Sequence, residues 1–508
     1  SSDLIKTKAS FPQNSVTSSL SFSQKQVIKD LNKDPNAHFN SSTVLKISGP
    51  LDIRILRKSF IALAQRHQML QTMVRELDDE NARLAQKPLT LVPIKVVDLT
   101  SYGEEVRFKK AIAMATDESQ KPLDLKKNVL MKTVVYQLDP TCFILVIALH
   151  HFISDSWSMG VLIKEMALLY DAYALKKEVV LPELPIRFTD FVLWQKQWFA
   201  DLDYQSQVSF WIKQYQQPLP KYRFQDSYST HMTGEKRKCF YFKFPHQQAI
   251  QSFIKTHRVT LFTFLLAVFQ LSLCKVTGER DVLVGCPSAN RHLKELKSVV
   301  GFFVNTIGLR KHLSLTQSFK DYLQSLRQTV LLAYQNQQLP WVAIRDILAK
   351  EKNIQLPFFQ TMFAVHNVMG PQFSASGLKV DLVRLFWGAE NTTLSMEIWE
   401  KNTEYIGCMS YNAHTLSDGF VKEMASDFEV MLAACLRDPS QTLAALMDKA
   451  PAALLDGIYV GGAVTTFFKE TLPKPMDSEA FSFEGFEAPT GGVGLLHLPR
   501  IDLEGGRF

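Results

Sequence analysis

The chain has 508 residues, 46% hydrophobic and 21% charged, with 22 glycines and 22 prolines. That composition excludes disordered, collagen-like and membrane-embedded chains, and the length allows two or three hydrophobic cores. The formal charge of +7 is spread along the sequence apart from small clusters such as GEKRKC and RHLKELK, so nucleic acid is not implied as a partner, while an acidic protein partner is favoured.

The N-terminal stretch SSDLIKTKASFPQNSV lacks an initiator Met, an apolar core and a cleavage signal, and is expected to be a cut from a longer chain. STVLKISGP has a strand pattern. LDIRILRKSFIALAQRHQ follows it with Leu56, Phe60 and Leu63 on one helical face. The continuous apolar run from Thr141 to Leu149, TCFILVIAL, has the pattern of a strand buried on both faces. After it Leu162, Met166, Leu169, Tyr170 and Tyr173 recur at helical spacing. KKEVVLPELPI, with two prolines and no periodicity, is expected to be a hinge.

Beyond the hinge the alternation resumes. Thr260 is the expected N-cap of a buried helix over Leu261 to Cys274, with Gly278 as its stop and DVLVG as the next strand. Phe319, Leu323, Leu326, Val330 and Tyr334 mark another helix, and FFQTMFAV returns to strand. The longest apolar stretch, VTLFTFLLAVFQLSL, is too short and too interrupted to span a bilayer, so no membrane is expected. The cysteines, Cys142, Cys239, Cys274, Cys286, Cys408 and Cys435, show no CxxC or metal spacing and read as reduced thiols of a cytoplasmic protein. The whole reads as an α/β (α+β) chain, with 1–180 and 181–450 as two lobes. The stretch 451–508, rich in Gly and Pro, reads as a linker or tail, or an incomplete module.

The chemistry concentrates in residues 149 to 160, LHHFISDSWSMG. Side chains alternate along a strand, so His150 and His151 cannot both face one cavity. One is expected to be structural and the other, His151, to be open to a channel. Asp155 could cap the coming helix or accept an ion pair. Three readings compete: satisfied core and cap residues, a metal site, and general acid–base work by a neutral imidazole. Adjacent histidines diverge on a strand and no third ligand recurs nearby, which counts against the metal. The chain offers no GxSxG elbow, catalytic-Cys signature, GxxxxGK[ST] loop or GxGxxG turn. A histidine without its own nucleophile fits direct transfer of an activated acyl group to an incoming amine or hydroxyl.

HHFISDSWSMGVLIKEM resembles the HHxxxDGxS motif of condensation domains of nonribosomal peptide synthetases, in the chloramphenicol acetyltransferase-like superfamily. LSFSQKQVIKDL from Leu20 resembles that family's opening motif, and RHQMLQTMV from Arg66 its RHExLRTxF motif. RFTDFVLWQKQW from Arg187, DVLVGCPSANR leading into VGFFVNTIGLR, NQQLPW, LPFFQTMF and the closing YNAHTLSDGFVKEMASDFEVML follow in family order. SDSWSMGVLIKEM is similar to the subgroup that joins two L-configured residues.

The resemblance implies two acetyltransferase-like lobes in a V-shaped pseudo-dimer with a central tunnel. Donor and acceptor carrier proteins would each present a thioester on 4'-phosphopantetheine, the domain having no cofactor of its own. The acceptor amine would attack the donor thioester to form an amide. It further implies His151 as general base or positioning group, with His150 and Asp155 supporting it. Asp155 would be ion-paired, Arg66 and Arg291 being the candidate arginines, and Ser156, Ser158 and Asn305 are further motif residues. Four positions depart from the family pattern: Ser156 stands where glycine is usual, Gln26 for the arginine of the first motif, Gln68 for the glutamate of RHE, and Gln338 for the aspartate of HQD. The tail segments FEAPTGGVG and DLEGG resemble parts of a carrier domain without its modified serine. Three alternatives stand beside amide formation: a free-standing acyltransferase using a soluble thioester, a catalytically silent carrier-docking platform, and an epimerase.

Overall fold

A computed structural model describes residues 20–33, 39–77, 82–86, 92–125, 130–179, 181–199, 202–215, 218–224, 237–244, 246–354, 359–366, 373–375, 377–386, 392–401, 404–449 and 457–460. In chain order the strands are β1 (Asn40–Ser48), β2 (Thr72–Leu77), β3 (Ala82–Gln86), β4 (Ile94–Asp98), β5 (Met131–Asp139), β6 (Cys142–His150), β7 (Arg237–Phe244), β8 (Asp281–Ser288), β9 (Asn305–His312), β10 (Thr361–His366), β11 (Phe373–Ala375), β12 (Leu378–Phe386), β13 (Leu394–Lys401), β14 (Glu404–Asn412) and β15 (Gly457–Val460). They form two large sheets, in the orders β11-β12-β1-β6-β5-β4 and β15-β7-β14-β13-β10-β8-β9, with β2 and β3 as a separate pair.

The apolar run of β6 is explained by what covers it. Phe143, Leu145, Ile147 and Leu149 enter one core, with Phe60 and Leu63 of helix Ile53–Arg66 and Leu162 and Met166 of helix Ser156–Ala174. Ile144 and Val146 point the other way, into a smaller core with Ala111, Ile112 and Ala115 of helix Glu104–Gln120. A strand with a hydrophobic layer on each face needs no polar alternation. In the second half, helix Leu261–Thr277 is buried on all sides, from Phe262 through Cys274. Thr260 Oγ1 accepts the Thr263 N–H at its start, and Gly278 ends it at φ 74°. Left-handed backbone at such a stop is where glycine costs least.

Two placements differ from a simple division at the hinge. Strand β12 lies within 181–450 in sequence but pairs antiparallel with β1, from Ser42 with Phe386 to Ser48 with Lys379. The chain therefore leaves the second sheet after His366, adds β11 and β12 to the first, and re-enters the second at Leu394. Strand β15, within the expected linker, pairs with β7 and covers an edge that would otherwise expose unpaired backbone groups. The carrier-like segments FEAPTGGVG and DLEGG lie outside the described residues.

Candidate active site

The site forms where β6 ends. His150 is the last strand residue, in register with Asn40 of β1, and is 2% exposed. Its Nδ1 accepts the Phe152 N–H at 3.0 Å, so its proton is on Nε2. Burial, and then the neighbouring His151, hold its pKa down to about 3. This histidine is a neutral structural group that closes the turn.

His151 lies just past the strand, its N–H donating to Phe39 O at 2.6 Å. Its Nδ1 is 3.2 Å from Ser154 O, and a carbonyl can only accept, so Nδ1 carries the proton. Nε2 is then the basic nitrogen of a neutral ring, the arrangement a general base requires. Burial lowers the His151 pKa, opposed by the Ser154 carbonyl and by Asp155. The ring is half-buried and lies 5.5 Å from that of Phe302, at 39°.

Asp155 is the N-cap of helix Ser156–Ala174, with Oδ1 accepting from Ser158 N at 2.8 Å and from Ser158 Oγ at 2.7 Å. The same carboxylate pairs with Arg291 Nη2 at 3.0 and 3.3 Å and accepts the Phe303 N–H at 3.0 Å. Capping and ion pairing are thus combined in one side chain. Arg291 is completely buried, its Nη1 donating to Leu296 O and Val299 O and its plane lying 4.1 Å from the Phe303 ring. Ser158 Oγ accepts from Gly301 N at 3.1 Å and is 2.9 Å from Gly301 O. Trp157 Nε1 donates to Lys297 O at 2.8 Å. One helix start of the first half is therefore clamped to residues 291–303 of the second.

The other expected residues sit elsewhere. Arg66 does not reach Asp155: its Nε pairs with Glu165 at 3.1 Å and its Nη2 bonds Pro182 O, because helix Ile53–Arg66 packs beside the middle of helix Ser156–Ala174 rather than its start. Asn305 donates to Gln337 O and Leu339 O and accepts from Trp341 N, tying the loop before helix Trp341–Lys352 to β9. Ser156 is the first helical residue and its φ is not positive, so the backbone there makes no demand for glycine. The other departures bond away from His151: Gln26 to Asp30, Gln68 to Thr189 and Gln338 to His292. Among the described residues no group of three or more His, Cys, Asp or Glu side chains could hold a metal ion.

Residue-by-residue reading of the sequence missed three contributors. Gln24 donates to Phe152 O at 2.9 Å while exchanging bonds with Ser21 across a helix start, and so holds the histidine turn from outside. Phe302 and Phe303 bring a ring and an N–H to the two key side chains. Only the matching motifs around them signalled their importance.

With that geometry in place, comparison identifies the architecture. The chain matches the Condensation domain family over residues 14–455. It is 30% identical over 436 residues to a component of the linear gramicidin synthase of Brevibacillus parabrevis, covering 84% of this chain and 8% of that protein. It is 26% identical over 414 residues to malpibaldin synthetase of Mortierella alpina, covering 80% of this chain and 7% of that protein. The chain thus spans less than a tenth of the length of these relatives. Among solved structures, the X-domain from teicoplanin biosynthesis aligns with a TM-score of 0.73 at 16% identity, over 85% of this chain and 98% of that one. The first condensation domain of the calcium-dependent antibiotic synthetase, solved with a substrate analogue, aligns with a TM-score of 0.71 at 17% identity, over 85% and 99%. The fold is the two-lobe chloramphenicol acetyltransferase-like one. The chain belongs to the condensation-domain family of nonribosomal peptide synthetases.

Proposed function

We propose that this domain transfers an acyl or peptidyl group from a donor carrier's phosphopantetheine thioester to the amine of an acceptor held on a second carrier. The observation that carries the reading is the fixed tautomer of His151, with Nδ1–H on Ser154 O and Nε2 basic. In the step, the acceptor nitrogen attacks the thioester carbonyl, the C–N bond forms and the C–S bond breaks. The proton lost by the amine passes to His151 Nε2 and leaves with the pantetheine thiol. His150 and the Asp155–Arg291 pair hold the turn and the helix start that place the imidazole.

The test supplies each substrate separately. The chain is mixed with a donor-loaded carrier and an aminoacyl-loaded acceptor carrier, and condensed product is followed by intact mass. Product that requires both carriers supports the proposal. Product from a coenzyme A thioester and a free amine, with no carrier present, would instead establish a free-standing acyltransferase. Carrier binding without product across a panel of donors and acceptors would establish a docking platform.

A further inference from the structure

Phe302 stays half-buried between two buried neighbours, Gly301 and Phe303, and its ring is the one packed on the His151 imidazole. Its backbone has little freedom to move. On one side the Gly301 N–H and carbonyl both meet Ser158 Oγ. On the other, the Phe303 N–H is held by Asp155, and the Phe303 ring lies between the Arg291 guanidinium and the edge of Phe188, at 5.0 Å. The clamp between the two halves therefore ends at an aromatic ring laid against the candidate base.

We propose that Phe302 is a positioning residue that acts through His151, its ring fixing the imidazole's orientation and keeping water from that side of it. The proposal rests on the acyl-transfer reading for its effect on rate. The imidazole's own anchor is a long hydrogen bond, 3.2 Å from Nδ1 to Ser154 O, which leaves room for the ring to tilt. A tilted Nε2 is displaced from the attacking nitrogen, and such misplacement is costly in rate. The charged and titratable groups facing His151 are His150, the preceding residue at the end of β6, and Asp155 at the helix start, the latter paired with Arg291 from the second half. Replacing Phe302 leaves all three in place, so a change in His151 behaviour reports the ring itself.

The experiment compares Phe302→Ala, Phe302→Leu and Phe302→Tyr in the full chain with loaded carriers, and follows the His151 titration by NMR with 13C-labelled histidine, assigned using His151→Gln. For Phe302→Ala the expected result is a kcat lower by about 10- to 100-fold, with acceptor KM changed by less than about twofold. The acid limb of its pH–rate profile and the His151 titration should both move up toward the ordinary histidine value of about 6.5. Phe302→Tyr should restore the rate, and Phe302→Leu, which fills space without a ring face, should fall between. Unchanged kcat and titration in Phe302→Ala would overturn the proposal, as would a rate loss with an unmoved titration and no rescue by tyrosine. If the native chain makes no product, the acyl-transfer reading fails by itself. The NMR titration still decides whether Phe302 controls His151.

Discussion

Replacing Asp155 tests the clamp directly, and the structure sets the scale. The carboxylate is 4% exposed and the Arg291 side chain is completely buried, so loss of one partner strands a charge that no water can reach. Stranding a buried charge costs about 3–5 kcal/mol. Asparagine caps a helix about as well as aspartate, so Asp155→Asn keeps the bond to Ser158 N and isolates the charge, for an expected loss of about 3 kcal/mol. Asp155→Ala should lose about 1 kcal/mol more. These losses are large against a typical stability of about 5–15 kcal/mol. Arg291→Met removes the opposite charge while keeping much of the stem that packs on Phe303. If the two charges stabilise each other, Asp155→Asn/Arg291→Met should be less destabilised than the sum of its single variants, by at least about 2 kcal/mol. Urea unfolding of the four proteins, followed by tryptophan fluorescence, measures this without the screening an ionic denaturant would add. Additivity to within about 0.5 kcal/mol would refute the argument that Asp155 and Arg291 act as one unit.

The remaining predictions concern pH, space and the departure at Ser156. The folded pKa of His150 is about 3, below its unfolded value, so the unfolded chain binds the proton first. Stability is therefore complete above about pH 6.5 and falls as the pH drops toward 3, by about 2 kcal/mol between pH 6.5 and 5. In His150→Asn the pH dependence of the unfolding free energy over that window should flatten by close to one proton, and an unchanged slope would contradict the assignment. A Cβ on Gly301 would collide with the Phe188 ring. Gly301→Ala should cost about 1–3 kcal/mol in unfolding measurements and lower kcat through Phe302, and a variant of native stability would contradict the close approach. Because Ser156 needs no glycine conformation, Ser156→Gly should alter stability by less than about 1 kcal/mol in the same assay. Its effect, if the serine narrows the site, should appear as a wider range of accepted substrates in competition assays.

Much of the fold was written locally. The run TCFILVIAL announced β6 because a strand with hydrophobic cover on both faces carries no polar residues, and Thr260 and Gly278 marked the ends of their helix by chemistry that acts within one turn. Alternation along a strand was the reason to expect different surroundings for His150 and His151, but His151 lies just past the end of β6, so its half-buried position follows from the turn instead. The choice of Arg291 over Arg66 as partner of Asp155 was not legible, since both flank motifs and only the packing of helix Ile53–Arg66 shows that Arg66 meets Glu165 instead. The return of β12 to the first sheet was equally hidden, because its partner β1 lies more than three hundred residues earlier and no local pattern records a pairing of that range. Gln24 belonged to a recognised motif, but its bond to Phe152 O spans 128 positions and exists only in the folded chain.

The account turns on His151 Nε2 as the base that takes the acceptor amine's proton. The most direct measurement is single-turnover condensation between loaded carriers by the native chain and by His151→Ala, as a function of pH, with carrier binding measured in parallel. A base held neutral by burial predicts a native rate that rises with pH to a plateau, with its midpoint below 6.5. The same account predicts a rate in His151→Ala lower by about 10²- to 10⁴-fold, without that limb and with carrier binding unchanged. A variant that condenses at the native rate, or that retains the same acid limb, would contradict it.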